Sequence, residues 1–339
     1  MKPRRLLSLL AAAALAGSTL GVPGAPLPHA RAAATYSMIM NWFPEPEVGG
    51  YYAADSLGYY KQAGLDFKIN EFGYSVQPIQ YVLSGRATFG MANADEILLA
   101  RARGAKVVAV MATFQINDQA LMWHAEDTTI KGVGDLSNHT LVYSFGGGYE
   151  PYLVQKYNYT NFKTRNYDFT LRYFATHKDA VNQAYATSEP YQAQQMGIKV
   201  KYALIADSGY SPYGDLIFTT EDMIKNHPDA VKAFVASSVK GWYHYLKSPD
   251  ATNTYLKTAP GAKNFPLTPG NMTYSWATEK KLNLIDGGEA KTHGIGYFSL
   301  TRWQTLQKQM IGVKVKPDIS ALDVTNAFTN QFVPAMGTM

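Results

Sequence analysis

The sequence predicts an α/β protein of two lobes, and three observations lead there. Segments of strand and helix character alternate with short polar joints, the pattern of helices layered on a mainly parallel sheet. The length of 339 residues allows about two domains. Two short apolar strands at 121–124 and 215–219 can pair as adjacent crossings between the lobes.

Each element has a local reason. The run 36–42 reads as a strand and 49–63 as a helix closed by Gly64, which suits a left-handed cap. Residues 66–71 form the next strand. Ser75 can cap a helix whose Val76, Ile79, Val82 and Leu83 fall at helical spacing; Pro78 is tolerated in its first turn and Gly85 closes it. A short strand at 88–91 leads into a helix at 94–103, with Asn93 as cap, Glu96 three residues on and Gly104 as the stop. The β-branched run 106–111 is another strand.

The second lobe reads as a strand at 140–143, a tight turn at Gly146-Gly147-Gly148, a helix at 151–157, strands at 171–174 and 200–205, and a partly helical stretch at 180–196. After the return, a helix at 229–246 sets Val231, Phe234, Val235, Trp242 and Tyr245 along one stripe. A second amphipathic helix runs from Thr268 through Trp276, and a third includes Trp303, Leu306 and Met310.

Composition narrows the chemistry. The chain is 46% hydrophobic and 17% charged, as folded proteins are, and has no cysteine. Disulfides, zinc-thiolate sites, iron–sulfur clusters and thiol nucleophiles are therefore excluded. Its seven histidines include no pair at metal-ligating spacing, so no metal and no cofactor is expected. The net charge of +5 is concentrated at the start. Residues 1–32 read as a secretory signal with Lys2, Arg4 and Arg5 ahead of an apolar run and Ala30-Arg31-Ala32 as a cleavage site near Ala32. That segment holds four bases and no acid, so the remainder has 27 bases against 26 acids, a charge of +1 that gives no reason to expect nucleic acid. Leu20-Gly21-Val22 lacks the cysteine of a lipid anchor, and no later stretch reaches the ~18 apolar residues of a membrane span. A free periplasmic protein is expected.

The segment Gly50-Tyr51-Tyr52-Ala53-Ala54-Asp55-Ser56-Leu57-Gly58-Tyr59-Tyr60-Lys61-Gln62-Ala63-Gly64-Leu65-Asp66 closely resembles the first helix and second strand of two-lobed solute-binding proteins. These serve ABC importers of sulfonates, taurine, nitrate and thiamine-pyrimidine precursors. Leu83-Ser84-Gly85-Arg86-Ala87-Thr88-Phe89-Gly90, the stretch from Glu96 to Gly104, and 226–234 match in the same order. The resemblance implies a type II periplasmic binding protein, each lobe a mixed sheet flanked by helices, with two crossover segments. The first lobe would comprise 33–124 and 215–339, the second 125–214. It also implies a monomer that delivers a small-molecule ligand to ABC permease transmembrane subunits.

Within that family Asn41-Trp42 most resembles the thiamine-pyrimidine branch, which carries Asn-Trp or Asp-Trp at the end of the first strand. The branch includes a fungal pyrimidine synthase that consumes its own histidine. Aligning Ala100-Arg101-Ala102-Arg103-Gly104 with that enzyme puts Glu96 where the histidine would be and Ala92 where a lysine would be, and its cysteine cluster has no counterpart. The resemblance implies binding rather than synthesis.

Ligands of two-lobed α/β proteins sit beyond the carboxyl ends of the strands. Asn41 and Trp42 stand at such an end, an indole to stack on a planar ring and an amide to pair with its edge. Tyr51 can wall the same pocket, or pack in the core as Tyr52 can. Glu96 has two readings, one side of a capping box or a ligand contact; Asp95 reads as a helix-dipole residue. Gly147 can bring a backbone N–H to a ligand oxygen, with Tyr149 and Glu150 beside it, although a plain turn also explains the glycines. Ser188-Glu189-Pro190-Tyr191 resembles the family segment that presents a carboxylate from the second lobe, which implicates Glu189. Tyr213 can close a stack from the far side or pack the hinge.

Carboxylates in the cleft suit amino groups or protonated ring nitrogens and repel sulfonate or nitrate. The expected ligand is a thiamine-pyrimidine precursor or similar planar nitrogen heterocycle. The alternatives are an anion-binding protein and a synthase-like enzyme.

Overall fold

The computed structural model describes residues 35–70, 72–73, 76–144, 148–259, 261–264 and 267–337. The secretory signal, the Ser75 cap and Gly146-Gly147 lie outside the described residues.

The chain first lays down β1 (Thr35–Ile39), β2 (Asp66–Asn70), β3 (Phe89–Ala92) and β4 (Val107–Met111), with α1 (Gly49–Ser56), α2 (Tyr59–Gln62), α3 (Pro78–Leu83) and α4 (Ala94–Ala102) between them. It then crosses to β5 (Gln119–His124), β6 (Thr140–Tyr143), β7 (Lys163–Asn166), β8 (Ala180–Tyr185) and β9 (Val200–Leu204), which are interleaved with α5 (Tyr149–Tyr157), α6 (Arg172–Thr176) and α7 (Glu189–Gln195). β10 (Leu216–Thr220) returns to the first sheet. There follow α8 (Glu221–Asn226), α9 (Pro228–Lys247), α10 (Asp250–Leu256), α11 (Pro269–Leu282), α12 (Ala290–His293) and α13 (Leu300–Gly312).

The strand orders are β2-β1-β3-β10-β4 and β7-β6-β8-β5-β9. In each sheet one strand runs against the rest: β10 is antiparallel to β3 and β4, and β5 to β8 and β9. Each sheet is therefore mixed.

Three readings are corrected. Residues 121–124 do not pair with the return strand; they lie inside β5, between β8 and β9. The crossings do run side by side, but at Phe114 and Gly214, whose backbones exchange hydrogen bonds of 3.1 and 3.3 Å. Residues 171–174 belong to a helix rather than a strand. The stretch 180–196 is partly helical as expected, with the buried strand 180–185 ahead of α7. The helix at 49–63 is two, because Gly58 takes φ +70°, a left-handed step that ends α1.

The first lobe is held by close approach of α1 and α9. A Cβ at Gly241 would lie 2.1 Å from the Gly50 carbonyl oxygen, so the two backbones meet where only hydrogen fits. Around that contact Val231, Phe234, Val235 and Trp242 are all buried, each contributing ~2 kcal/mol of apolar transfer. Phe234 stacks on Phe89 of β3 at 4.0 Å, pinning α9 to the sheet. This packing fixes where the strand ends sit.

Candidate ligand-binding site

The strand directions bring one set of chain ends to each facing edge. After β1 come Asn41, Trp42, Glu45 and Glu47; after β3 come Asn93, Asp95 and Glu96; Asp215 immediately precedes the reversed β10. From the second sheet, Ser144 follows β6, Tyr167 and Phe169 follow β7, and Tyr185, Ser188 and Glu189 end β8 and begin α7, while Gln119 starts the reversed β5. All of these residues line one cavity of about 420 Å³, together with Phe72, Gln77, Tyr149 and Gln183. The crevice rule holds for both sheets at once.

Asn41, Trp42, Glu96, Tyr149 and Glu189 are thus brought together. Tyr51 is not among them: it is buried between α1 and α9, its hydroxyl paired with Thr113 and its ring edge-on to Trp242 at 5.6 Å. Tyr213 is also buried away from the cavity, where its hydroxyl accepts the Ser299 N–H at 2.8 Å and the Arg302 guanidinium lies 3.9 Å over its ring. Glu150 sits in the first turn of α5, outside the lining, where burial raises its carboxyl and a hydrogen bond from Tyr143 opposes the rise. Gly147 lies outside the described residues.

The capping reading of Glu96 holds, and its side chain also borders the cavity. Its Oε2 accepts the Asn93 backbone N–H at 2.7 Å within a capping box, and the side chain lines the cavity. It keeps an exposed surface toward the cavities it borders, yet crowding by protein around the carboxyl and the neighbouring Asp95 push it up to about 7. Asp95 does more than face a helix dipole: it is buried, lines the cavity and accepts the Tyr210 hydroxyl at 3.0 Å. Glu189 is fixed by the Tyr185 N–H at 2.7 Å, and burial pushes it up to about 7 against that hydrogen bond.

The acids after β1 were not legible. Glu45 is 1% exposed and Glu47 is 6% exposed. Among the described residues, neither oxygen of Glu45 has a hydrogen-bond partner of good geometry, although the Glu47 carboxyl lies beside it. Burial raises both well above the carboxylate range; Glu189 and Asp118 add to this at Glu45, and Asp118 and Asp215 at Glu47. Asp215 accepts the Asn41 Nδ2 at 2.6 Å, and burial raises it too. Behind the lining, Asp118 takes the Thr187 hydroxyl at 2.6 Å and is pushed up to about 8 by burial and Asp215. Glu279 of α11 is 1% exposed, and neither of its oxygens has a partner among the described residues. Among the described residues, no lysine, arginine or histidine lines the cavity.

Buried acids without cations are neutralised by protons or by a guest that supplies positive charge or several donors. Flat faces come from Trp42, Phe72, Tyr149, Tyr167, Phe169 and Tyr185. Trp42 lies 5.8 Å from Phe72 and 5.9 Å from Phe169, ring centre to ring centre. The arrangement can hold a planar, donor-rich molecule. Proximity to Asn41-Trp42 is the available signal for Glu45 and Glu47; Phe169 follows β7 and Tyr185 ends β8, strands that carry no clear sequence pattern.

Known proteins share this architecture. The chain is 26% identical to the riboflavin-binding protein RibY of Chloroflexus aurantiacus, over 91% of this chain and 89% of that protein. It is 24% identical to the formylaminopyrimidine-binding protein of Halalkalibacterium halodurans, over 69% and 73%. The periplasmic aliphatic sulphonate binding protein SsuA of Escherichia coli superposes with a TM-score of 0.65 at 11% identity, covering 87% of this chain and 92% of that one, a likeness of fold alone. The fold is that of type II periplasmic binding proteins. The family model described as NMT1/THI5 like matches residues 45–252, more than half of the sequence, and the chain belongs to that family.

Proposed function

We propose that this protein is the solute-binding component of an ABC importer, and that it captures a small planar nitrogen heterocycle between its lobes. The observation that carries this reading is the pairing of flat rings with buried carboxylates in one cavity that has no basic side chain in its lining among the described residues. Ring nitrogens and amino groups of an aminopyrimidine supply donors to Glu45, which has no partner of good geometry among the described residues, and further donors to Glu47, Glu96 and Glu189, while Trp42 offers a stacking face. A sulfonate or nitrate would bring a further negative charge into the acids. The two relatives named for riboflavin and formylaminopyrimidine support a heterocycle.

The guest leaves unchanged in this reading: the synthase's histidine and lysine are replaced by Glu96 and Ala92, and its cysteines are missing. Residues 1–32 would direct export to the periplasm, where the lobes close by hinge motion and present the guest to permease subunits. Among the described residues no helix is long and apolar enough to cross a membrane.

A second reading, an isoalloxazine in place of a single ring, is favoured by the six aromatic side chains of the lining and by the relative that covers most of the chain. A thermal-shift screen with aminopyrimidines, thiamine, riboflavin, alkylsulfonates and nitrate tests both. A guest that binds only the folded state at ~100 times its dissociation constant adds ~2.7 kcal/mol. Stabilisation by an aminopyrimidine or by riboflavin, with mass-spectrometric recovery of the intact compound, is expected. Stabilisation by an alkylsulfonate or nitrate alone would overturn the proposal.

A further inference from the structure

We propose that Phe169 is the second-lobe half of an aromatic clamp, closing against Trp42 and selecting guests by flatness. The inference deepens the proposed heterocycle-binding reading, and it rests on three independent features of one loop.

The first is backbone conformation. Phe169 takes φ +59°, a region that bulky L residues rarely adopt and that concentrates at ligand clamps when it occurs. The loop is built to hold it there. Asp168 Oδ1 accepts the Thr170 N–H at 3.0 Å and the Thr170 hydroxyl at 2.8 Å, fixing the turn on either side of the ring.

The second is exposure. Phe169 remains 48% exposed, so burial returns only part of the free energy that a phenylalanine can gain. A glycine or asparagine would satisfy the turn without strain. A large ring kept in an unfavourable backbone state and half in solvent points to a role outside core packing.

The third is position. Phe169 follows β7 of the second sheet and Trp42 follows β1 of the first, yet their ring centres are 5.9 Å apart with planes inclined by 39°. Tyr167 backs the phenyl ring at 5.5 Å. Both clamp residues line the cavity. A flat guest sandwiched between two rings needs about 7 Å, one carbon contact distance on each face. Trp42 and Phe169 therefore need their centres to part by about 1 Å and their planes to turn through the 39° that now separates them to accept one. A tetrahedral headgroup would hold them farther apart and keep the lobes from closing.

Two measurements test this, one without any guest. Trp42 is one of five tryptophans, so its fluorescence is isolated by subtracting a Trp42→Phe variant. Acrylamide should quench Trp42 more strongly in Phe169→Ala than in the parent. Phe169→Gly should melt no lower than Phe169→Ala, since glycine, unlike alanine, accepts the positive φ without strain. Calorimetric titration with riboflavin and with 4-amino-2-methylpyrimidine supplies the second measurement. Whichever of these the parent binds should lose about tenfold in affinity in Phe169→Ala, and nearly as much in Phe169→Leu, which keeps bulk but not the face. Unchanged acrylamide access in Phe169→Ala overturns the clamp, as does unchanged affinity. A parent that binds neither probe instead defeats the heterocycle reading, and the quenching comparison still decides the clamp.

Discussion

Asn41 donates its side-chain amide to the Asp215 carboxylate at 2.6 Å, joining the end of β1 to the start of β10 at the cavity edge. The hydrogen bond favours the charged form of an acid that burial otherwise raises. Replacing Asn41 with leucine keeps the volume and removes the donor. The expected loss is ~1–3 kcal/mol near neutral pH, smaller in mild acid where Asp215 holds a proton. Urea denaturation at the two pH values measures it; an equal loss at both would contradict this role for the amide.

The acid cluster fixes the sign of the pH dependence. Glu96 and Glu189 are pushed up to about 7 and Asp118 to about 8, and burial also raises Glu45, Glu47 and Glu279 well above the usual carboxylate range. A carboxyl whose folded value exceeds its unfolded one makes the native state bind more protons, so its contribution is complete below the unfolded value and lost as pH rises through the folded one. The melting temperature of the unliganded protein should therefore fall between about pH 5 and about pH 8. A melting temperature that climbs across that window would refute the assignment.

Glu45→Gln separates stability from binding. The amide retains the shape and cannot ionise in a place where burial and the neighbouring acids disfavour the carboxylate. Near pH 8 the variant should melt higher than the parent and show a shallower pH dependence. Its affinity for an aminopyrimidine should fall about tenfold or more, because a charge-assisted hydrogen bond becomes a neutral one. Loss of both stability and binding would place Glu45 among ordinary structural residues.

The two duties of Glu96 separate by substitution. Gln preserves the bond to the Asn93 N–H, whereas Ala removes it. Glu96→Ala should lose ~1 kcal/mol of stability and Glu96→Gln much less. Both should weaken an amino-bearing guest, and neither should weaken an anion. A guest affinity that follows only the stability loss would leave Glu96 a cap and nothing more.

Gly241→Ala tests the packing that positions the site. The added Cβ would fall 2.1 Å from the Gly50 carbonyl oxygen and 2.7 Å from the Ala54 Cβ. Neither neighbour is a flexible side-chain end. A loss of ~3 kcal/mol is expected from denaturant unfolding; a variant as stable as the parent would mean that α1 and α9 lie farther apart.

The legible parts of this fold are those whose burial is written into a repeat. Val231, Phe234, Val235, Trp242 and Tyr245 recur at helical spacing and predict α9 with its buried face. β7 escaped because all four of its residues, Lys163 to Asn166, are exposed, and an exposed edge strand has no apolar alternation to read. β8 was hidden by its Ala-Val-Asn-Gln-Ala-Tyr composition, which is compatible with a helix until the sheet on both sides claims it. Glu45, Glu47 and Glu279 look like solvated acids in sequence; their burial comes from α11 packing on the turn after β1, across more than 200 residues of chain. Asn41 and Trp42 were legible because the end of a first strand in this architecture faces the crevice.

Isothermal titration of the protein near neutral pH with 4-amino-2-methylpyrimidine, riboflavin, methanesulfonate and nitrate puts the cavity's chemistry to direct trial. One of the two heterocycles should bind saturably with a dissociation constant of ~1 μM or tighter, and Trp42→Ala should weaken it at least about tenfold, while neither anion gives heat. Saturable binding of methanesulfonate or nitrate, with silence from both heterocycles, would contradict the assignment of this acidic, ring-lined cavity to a planar nitrogenous guest.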